Sequence, residues 1–255
     1  MKAYVKSVLD ANDRLDGRKF DESRKVEVSY DVSNKAEGSA RVKIGKTEVI
    51  AGIKMDVGKP YGDSPNRGNL MVGAERLPVA NPEFLPGPPN AEAIELARIV
   101  DRGIRESGMI DMEKLCITNG ELVWTVIIDL YTINDDGNMI DAAALAAVAA
   151  LRNAVFPKLV EDKVQWGEFT EDKVPLKFVP LTFTVFKIGK HLVLDVDRNE
   201  EEAVETRLSV SVSEKGNIHA MQKGGEAGLS IDESDRAIGM AIDAVAKLRK
   251  DLKWN

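Results

Sequence analysis

The stretch Leu122-Val-Trp-Thr-Val-Ile-Ile-Asp-Leu-Tyr-Thr-Ile-Asn134-Asp-Asp-Gly-Asn-Met-Ile-Asp141-Ala-Ala-Ala-Leu-Ala-Ala-Val-Ala-Ala-Leu151 decides the fold class. Leu122–Ile133 is nearly continuous in apolar residues, which predicts a strand that is central and buried. Asn134-Asp-Asp-Gly137 supplies turn formers that break it. Asp141 then stands where it can cap a helix running from Ala142 to Phe156 and stopped by Pro157. The alanines on several sides of that helix allow its backbone to pack closely in a core.

Working outward toward the N-terminus, Asn90 caps a predicted helix over Ala91–Ser107, with Gly108 as its stop. Before it lies Gly58–Pro89, rich in Gly, Pro and Asn, which reads as a long loop around one strand, Asn69–Leu77. Ala40–Ile44 and Thr47–Ile53 flank Gly45-Lys46 as a hairpin, and Arg24–Asp31 alternates with period two. The first dozen residues form a short helix with Tyr4, Val8 and Leu9 on one side. Toward the C-terminus, Val160–Lys177 is charged and mixed and reads as a linker. Leu181–Ile188 and His191–Val196 make a second hairpin around Gly189-Lys190, so Lys-Ile-Gly-Lys occurs at both turns. Leu208–Val212 and Asn217–Gln222 follow as strands. Ser230-Ile-Asp-Glu233 is a capping box that opens a helix with Ile238, Ile242, Val245, Leu248 and Leu252 on one face. Strands followed by helices without regular alternation predict an α+β arrangement in two halves, residues 1–157 and 158–255.

Composition narrows the function. The 255 residues are 44% hydrophobic and 30% charged, with no apolar run of membrane-spanning length and no signal-peptide block at the start, so a soluble, cytoplasmic protein is expected. The single cysteine, Cys116, excludes an intramolecular disulfide and a Cys-based zinc site, and its apolar neighbours predict a buried, inert thiol. With only His191 and His219, serine-triad and zincin chemistry is poorly supplied. A net charge of −7 means that any nucleic-acid contact must be a concentrated patch, which a second, more basic chain could share.

One such patch is visible. Arg98, Arg102 and Arg105 fall within about 60° of one another on the helix Ala91–Ser107. Leu96, Val100, Gly103 and Ile104 take the opposite side. Guanidinium groups in a row suit phosphates. The same spacing also permits ion pairs with Glu95 and Asp101 that would leave only a solvated face. Arg67, between small residues in the long loop, is a second candidate contact. The junction Asn134–Asp141 is a place where anions bind, but three aspartates stand there and favour a plain turn and cap. Asp195 and Asp197, read as one face of a strand, with Glu200, Glu201 and Glu202 after them, offer Mg²⁺ ligands or a general acid, though acidic strand ends are common. Lys223–Gly228 lacks phosphate-loop spacing and reads as a turn.

Taken together, Arg14-Leu-Asp-Gly-Arg18 with Arg24, Glu83-Phe-Leu-Pro-Gly-Pro-Pro-Asn90, Ile94–Ser107 and Leu194-Asp-Val-Asp197 with Glu200-Glu-Glu202 resemble the RNase PH family over nearly the whole chain. The segment 83–107 is most similar to the family's non-catalytic branch in archaeal exosome cores. The resemblance implies an RNase PH-like fold of two βαβα-type halves, the first like ribosomal protein S5 domain 2. It implies a hexameric ring alternating with a catalytic RNase PH-like subunit, RNA-binding cap subunits, and phosphate-dependent 3′→5′ degradation of single-stranded RNA. No cofactor and no metal are implied. Active members carry a Gly-Ser/Thr-Arg phosphate loop where this chain has Asp136-Gly-Asn-Met-Ile-Asp141. Asp195 matches the family acid but lacks that loop. The expected role is therefore a non-catalytic RNA-binding and scaffolding subunit, with Arg67, Arg98, Arg102 and Arg105 as RNA contacts. The alternatives are an active phosphorolytic exoribonuclease and, from a different class, an unrelated α+β binding or metabolic protein.

Overall fold

The computed structural model describes residues 1–254. A short helix α1 (Lys2–Asp10) precedes strands β1 (Val26–Tyr30), β2 (Gly38–Ile44), β3 (Thr47–Gly58) and β4 (Asn69–Arg76). Helix α2 (Ala91–Ser107) crosses to β5 (Cys116–Thr118) and β6 (Leu122–Asn134), and α3 (Met139–Asn153) follows. The first sheet runs β1-β2-β3-β6-β4, with β5 added to β6; β4 and β6 are parallel, as a helical crossover requires, and the other pairs are antiparallel. After β7 (Val155–Val160) and β8 (Lys163–Lys173) come β9 (Leu181–Ile188), β10 (His191–Leu194), α4 (Arg198–Glu201), β11 (Thr206–Val212), β12 (Ile218–Gly225) and α5 (Ile231–Leu252). The second sheet is antiparallel in the order β10-β9-β11-β12.

Helices α2 and α3 lie between the sheets: α3 packs on β2 and β3 and also on β9, and α2 packs on β4 and also on β11 and β12. Alternation along β9 sets the next layer. Thr182 and Thr184 face inward, beside Gly103 of α2 and Asp141 of α3, while Phe183 points the other way, toward Ala244 and Leu248 of α5. The alanines of α3 do what their size allows. Ala142–Ala144, Ala146, Ala147, Ala149 and Ala150 are all buried, so a thin helix brings two sheets onto one core. Where Cβ atoms are tightest a glycine is used: at Gly38 an added Cβ would lie 2.5 Å from the Ala150 carbonyl oxygen.

Several sequence expectations need correction. Strand β6 is central but buried on one face only; Val126, Ile128 and Leu130 are buried, and Ile127, Asp129 and Tyr131 alternate with them on a partly exposed face. Asp141 does not cap α3. The cap position is Asn138, in a left-handed conformation, and the helix ends at Asn153 rather than Phe156. Residues 160–177 are not a linker, because most of them form the β7–β8 hairpin, with Pro157 tolerated in a two-stranded ribbon. On α1 the buried residues are Val5 and Leu9, and Tyr4 is exposed. Cys116 is half-buried, not buried, beside a fully buried Leu115. The helix Ala91–Ser107, both Lys-Ile-Gly-Lys turns and the Ser230 capping box form as expected, with left-handed glycines at Gly45 (φ 59°) and Gly189 (φ 60°). None of the described helices is long and apolar enough to cross a membrane.

Candidate functional site

The loop between β6 and α3 is locked from both sides. Arg24 donates from Nη1 to the Asp136 carbonyl (2.7 Å) and from Nη2 to the Gly137 carbonyl (3.1 Å), and Thr47 Oγ1 donates to the same Gly137 oxygen (2.6 Å). The loop's N–H groups, which would attract an anion at a helix start, are turned to the protein's own acids. Gly137 N donates to Asp135 Oδ1 (3.3 Å) and Asn138 N to Glu201 Oε1 (3.2 Å). Gly137 adopts φ +83°, and an added Cβ there would sit 2.5 Å from the Asp197 carbonyl carbon. The loop is thus pressed against the segment Val196–Arg198, and Asp135 and Glu201 accept from its N–H groups.

Asp195 anchors this arrangement. It is 1% exposed, follows β10 with φ +47°, and accepts from Arg24 N (2.7 Å), Arg24 Nε (2.9 Å), Arg24 Nη2 (2.8 Å), Arg18 Nη1 (3.2 Å) and Asn138 Nδ2 (2.8 Å). Burial alone would raise its pKa, but the hydrogen bonds and charge of Arg24 hold it below the usual carboxylate range. This carboxylate ties Arg18, Arg24 and Asn138 to the end of β10. Asp197 does not share a strand face with it, because Asp197 caps α4 in a capping box with Glu200. Glu200 in turn receives Arg14 through Nε (2.9 Å) and Nη2 (2.5 Å), both side chains fully buried. Nothing in the local sequence of Arg14, Arg18 and Arg24 signals these partners, which lie more than 100 residues away. Among the described residues no group of three or more His, Cys, Asp or Glu side chains could hold a metal ion.

Beside the loop, a cleft of about 360 Å³ opens between α2, α4 and β11. Its cations are balanced by acids on the same walls: Arg76 by Glu92, Arg207 by Glu95 (2.8 Å), and Arg198 by Glu83 (2.9 Å) and Glu201 (3.5 Å).

The arginines of α2 divide. Arg98 is exposed and has no ion pair among the described residues, since its expected partner Glu95 is taken by Arg207. Arg102 is exposed with a loose pair to Glu106 (3.6 Å). Arg105 donates from Nε and Nη2 to Asp101 (2.9 and 2.6 Å) and from Nη2 to the Leu70 carbonyl (3.0 Å), the ion pair that helical spacing allowed. Arg67 is exposed, and it lines one cleft of about 170 Å³ with Arg105 and Tyr61. The fold thus gathers Arg67 and Arg105, with Arg98 and Arg102 further along α2.

Two larger β-sheets with helices packed between them, and an acid-anchored loop at the head of an alanine helix, make an α+β protein. Residues 22–157 match domain 1 and residues 179–244 match domain 2 of the 3′ exoribonuclease family, and this chain belongs to that family, as its resemblance to RNase PH implied. It is 45% identical over 252 residues to exosome complex component Rrp42 of Archaeoglobus fulgidus, covering 98% of this chain and 95% of that protein. To Rrp42 of Methanopyrus kandleri it is 42% identical over 251 residues, 98% and 94% of the two chains. Among solved structures, a chain of the Archaeoglobus fulgidus exosome with RNA bound to the active site superposes with a TM-score of 0.90 at 44% identity, covering 98% of this chain and 97% of that one. A chain of an archaeal exosome core gives 0.88 at 41%, covering 99% and 96%.

Proposed function

We propose that this chain is a soluble, cytoplasmic, non-catalytic subunit of an archaeal-type exosome ring, which scaffolds a catalytic RNase PH-like partner and holds single-stranded RNA for phosphate-dependent 3′→5′ degradation. Similarity to archaeal exosome components over nearly the whole length supports membership of the ring. Residues 1–157 and 158–255 serve as the two halves of the subunit, the first in the manner of ribosomal protein S5 domain 2, and RNA-binding cap subunits dock on the ring.

The observation that carries catalytic silence is the β6–α3 loop. Family members that use inorganic phosphate as nucleophile need a hydroxyl and an arginine after the loop glycine; here Asn138 and Met139 follow Gly137. Asn138 Nδ2 is spent on Asp141 and Asp195, and the N–H groups of Gly137 and Asn138 are spent on Asp135 and Glu201. An incoming phosphate would have to displace internal carboxylates from buried and half-buried hydrogen bonds, which is costly for both. RNA holding falls to Arg67, Arg98, Arg102 and Arg105, whose contacts to phosphates are independent of sequence.

The test is phosphorolysis. With single-stranded RNA and inorganic phosphate, the isolated chain is expected to release no nucleoside diphosphate, and its mixture with a catalytic paralogue to release it steadily. A ring that carries Asp195→Asn in this chain, and still assembles by light scattering, should keep its rate. A loss of more than about tenfold in the assembled variant, or turnover by the isolated chain, would show that this subunit performs chemistry.

A further inference from the structure

Arg67 and Arg105 share their cleft with an aromatic side chain that spacing on α2 could not reveal. Tyr61 is 58% exposed and stands on the rim of the 170 Å³ cleft, whose apolar wall includes Leu70, Ile104 and Ile110. We propose that this cleft is a subsite for one unstacked nucleotide of single-stranded RNA, its base lying on the Tyr61 ring and its phosphate between Arg67 and Arg105; the assignment rests on the RNA-holding role proposed above.

Three features support it. The first is chemical. A π-face beside two guanidinium groups and an apolar wall is the combination that single-stranded nucleic acid requires, because every base can stack and every nucleotide carries a phosphate. The second is that the loop bearing Tyr61 is held in place. Ser64 N donates to the Tyr61 carbonyl (3.0 Å), Arg67 N to the Ser64 carbonyl (3.2 Å), Gly68 N to the Met112 carbonyl (2.8 Å) and Gly120 N to the Pro65 carbonyl (2.9 Å). Gly68 lets the loop lie against the sheet, since an added Cβ would be 2.5 Å from Leu115 Cβ and 2.8 Å from the Trp124 carbonyl oxygen. An ordered platform loses little freedom when a base settles on it. The third is the use of the guanidinium groups. Asp101 and the Leu70 carbonyl orient Arg105 through Nε and Nη2, leaving its Nη1 without a partner among the described residues, and no hydrogen bond or ion pair among them engages the Arg67 guanidinium group. Asp101 offsets one of the two charges, so the cleft keeps one uncompensated cation for one phosphate.

The experiment uses the ring assembled with its catalytic paralogue and a short fluorescent oligoadenylate, with anisotropy read across a salt series. Tyr61→Ala should weaken binding roughly five- to a hundredfold, the range for losing one stacked base, while leaving the salt slope unchanged. Tyr61→Phe, which keeps the ring, should bind within about twofold of the parent. An abasic oligomer of the same length should be indifferent to Tyr61→Ala. If Tyr61→Ala binds oligoadenylate as tightly as the parent while Arg98→Ala with Arg102→Ala weakens it, the subsite is overturned and the RNA-holding reading stands. If neither variant weakens binding, both fall. Free AMP bound as tightly as the oligomer, and lost with Tyr61→Ala, would make the cleft a mononucleotide site and also overturn the proposal.

Discussion

Asp141 lies in the first turn of the alanine helix as a fully buried acid. Asn138 Nδ2 (3.0 Å), Thr184 N (3.2 Å) and Thr184 Oγ1 (2.7 Å) donate to it, and Thr184 Oγ1 also lies 2.8 Å from Ser209 Oγ. Burial pushes its pKa up to about 7 from an ordinary 3.8, and the nearby Asp195 charge adds to the rise, although the Asn138 and Thr184 hydrogen bonds oppose it. The folded chain therefore keeps a proton that the unfolded chain releases. This contribution to stability is complete below the ordinary value and is lost as pH rises through about 7. Asp195 runs the opposite way: its lowered pKa contributes stability above the ordinary carboxylate value, lost only as pH falls further, so it adds no slope near neutrality. Asp141→Asn keeps an acceptor for Asn138 and Thr184 and cannot titrate. Melting temperatures of the two proteins taken between pH 6 and 8 should show the parent losing stability relative to Asp141→Asn as pH rises. Parallel curves would mean that Asp141 does not titrate there. The sequence marked Asp141 as a cap, because an aspartate before an apolar helix usually is one. Two of its three donors, Thr184 N and Oγ1, lie on β9, and pairing across the two halves is not written in local spacing.

At the level of elements, the legible pieces are those whose signals are local. Helix α2 carries its own start and stop: Asn90 accepts from Ala93 N (2.9 Å), and Gly108 closes it at φ 63°. The arginine face of α2 follows from the helical period alone. The β7–β8 hairpin was hidden because charges alternate with its apolar residues and it packs only marginally; Trp166 stays 60% exposed, with Lys54 Nζ 4.7 Å from its ring centre. The company of Arg67, Tyr61 and Arg105 was equally hidden, being set by how a long loop returns to the sheet. A close approach between elements leaves a trace only as a glycine. Gly38 opens β2 where α3 ends, and an added Cβ would meet the Ala150 carbonyl oxygen at 2.5 Å and Ala154 Cα at 2.7 Å, all rigid backbone or short side chain. Gly38→Ala should therefore force β2 and α3 apart and cost about 1–3 kcal/mol, as overpacking of tight cores does. Urea unfolding checks this, and an unchanged midpoint would show that the two elements yield freely.

At the scale of the whole molecule, a chain of net charge −7 repels a polyanion except where its cations are gathered and free of acids. Most of its arginines are not free. Arg14, Arg18 and Arg24 are consumed by the buried anchor around Asp195 and Glu200, and Arg76, Arg198 and Arg207 by acids on the neighbouring cleft. Arg98 and Arg102 differ. Both are exposed, and among the described residues they make one ion pair, the loose one from Arg102 to Glu106, of a kind that contributes little and yields readily to phosphate. Each phosphate neutralised on single-stranded nucleic acid adds about −0.7 to the slope of log affinity against log salt. Replacing Arg98 and Arg102 together by Ala should therefore weaken RNA binding by the assembled ring and flatten that slope by roughly 1.4 units. The loss should be the same for oligoadenylate and oligouridylate, because no base edge is being read. A double variant that assembles normally and keeps both affinity and slope would show that these two arginines face solvent in the ring, and would leave RNA holding to the cleft at Arg67 and Arg105.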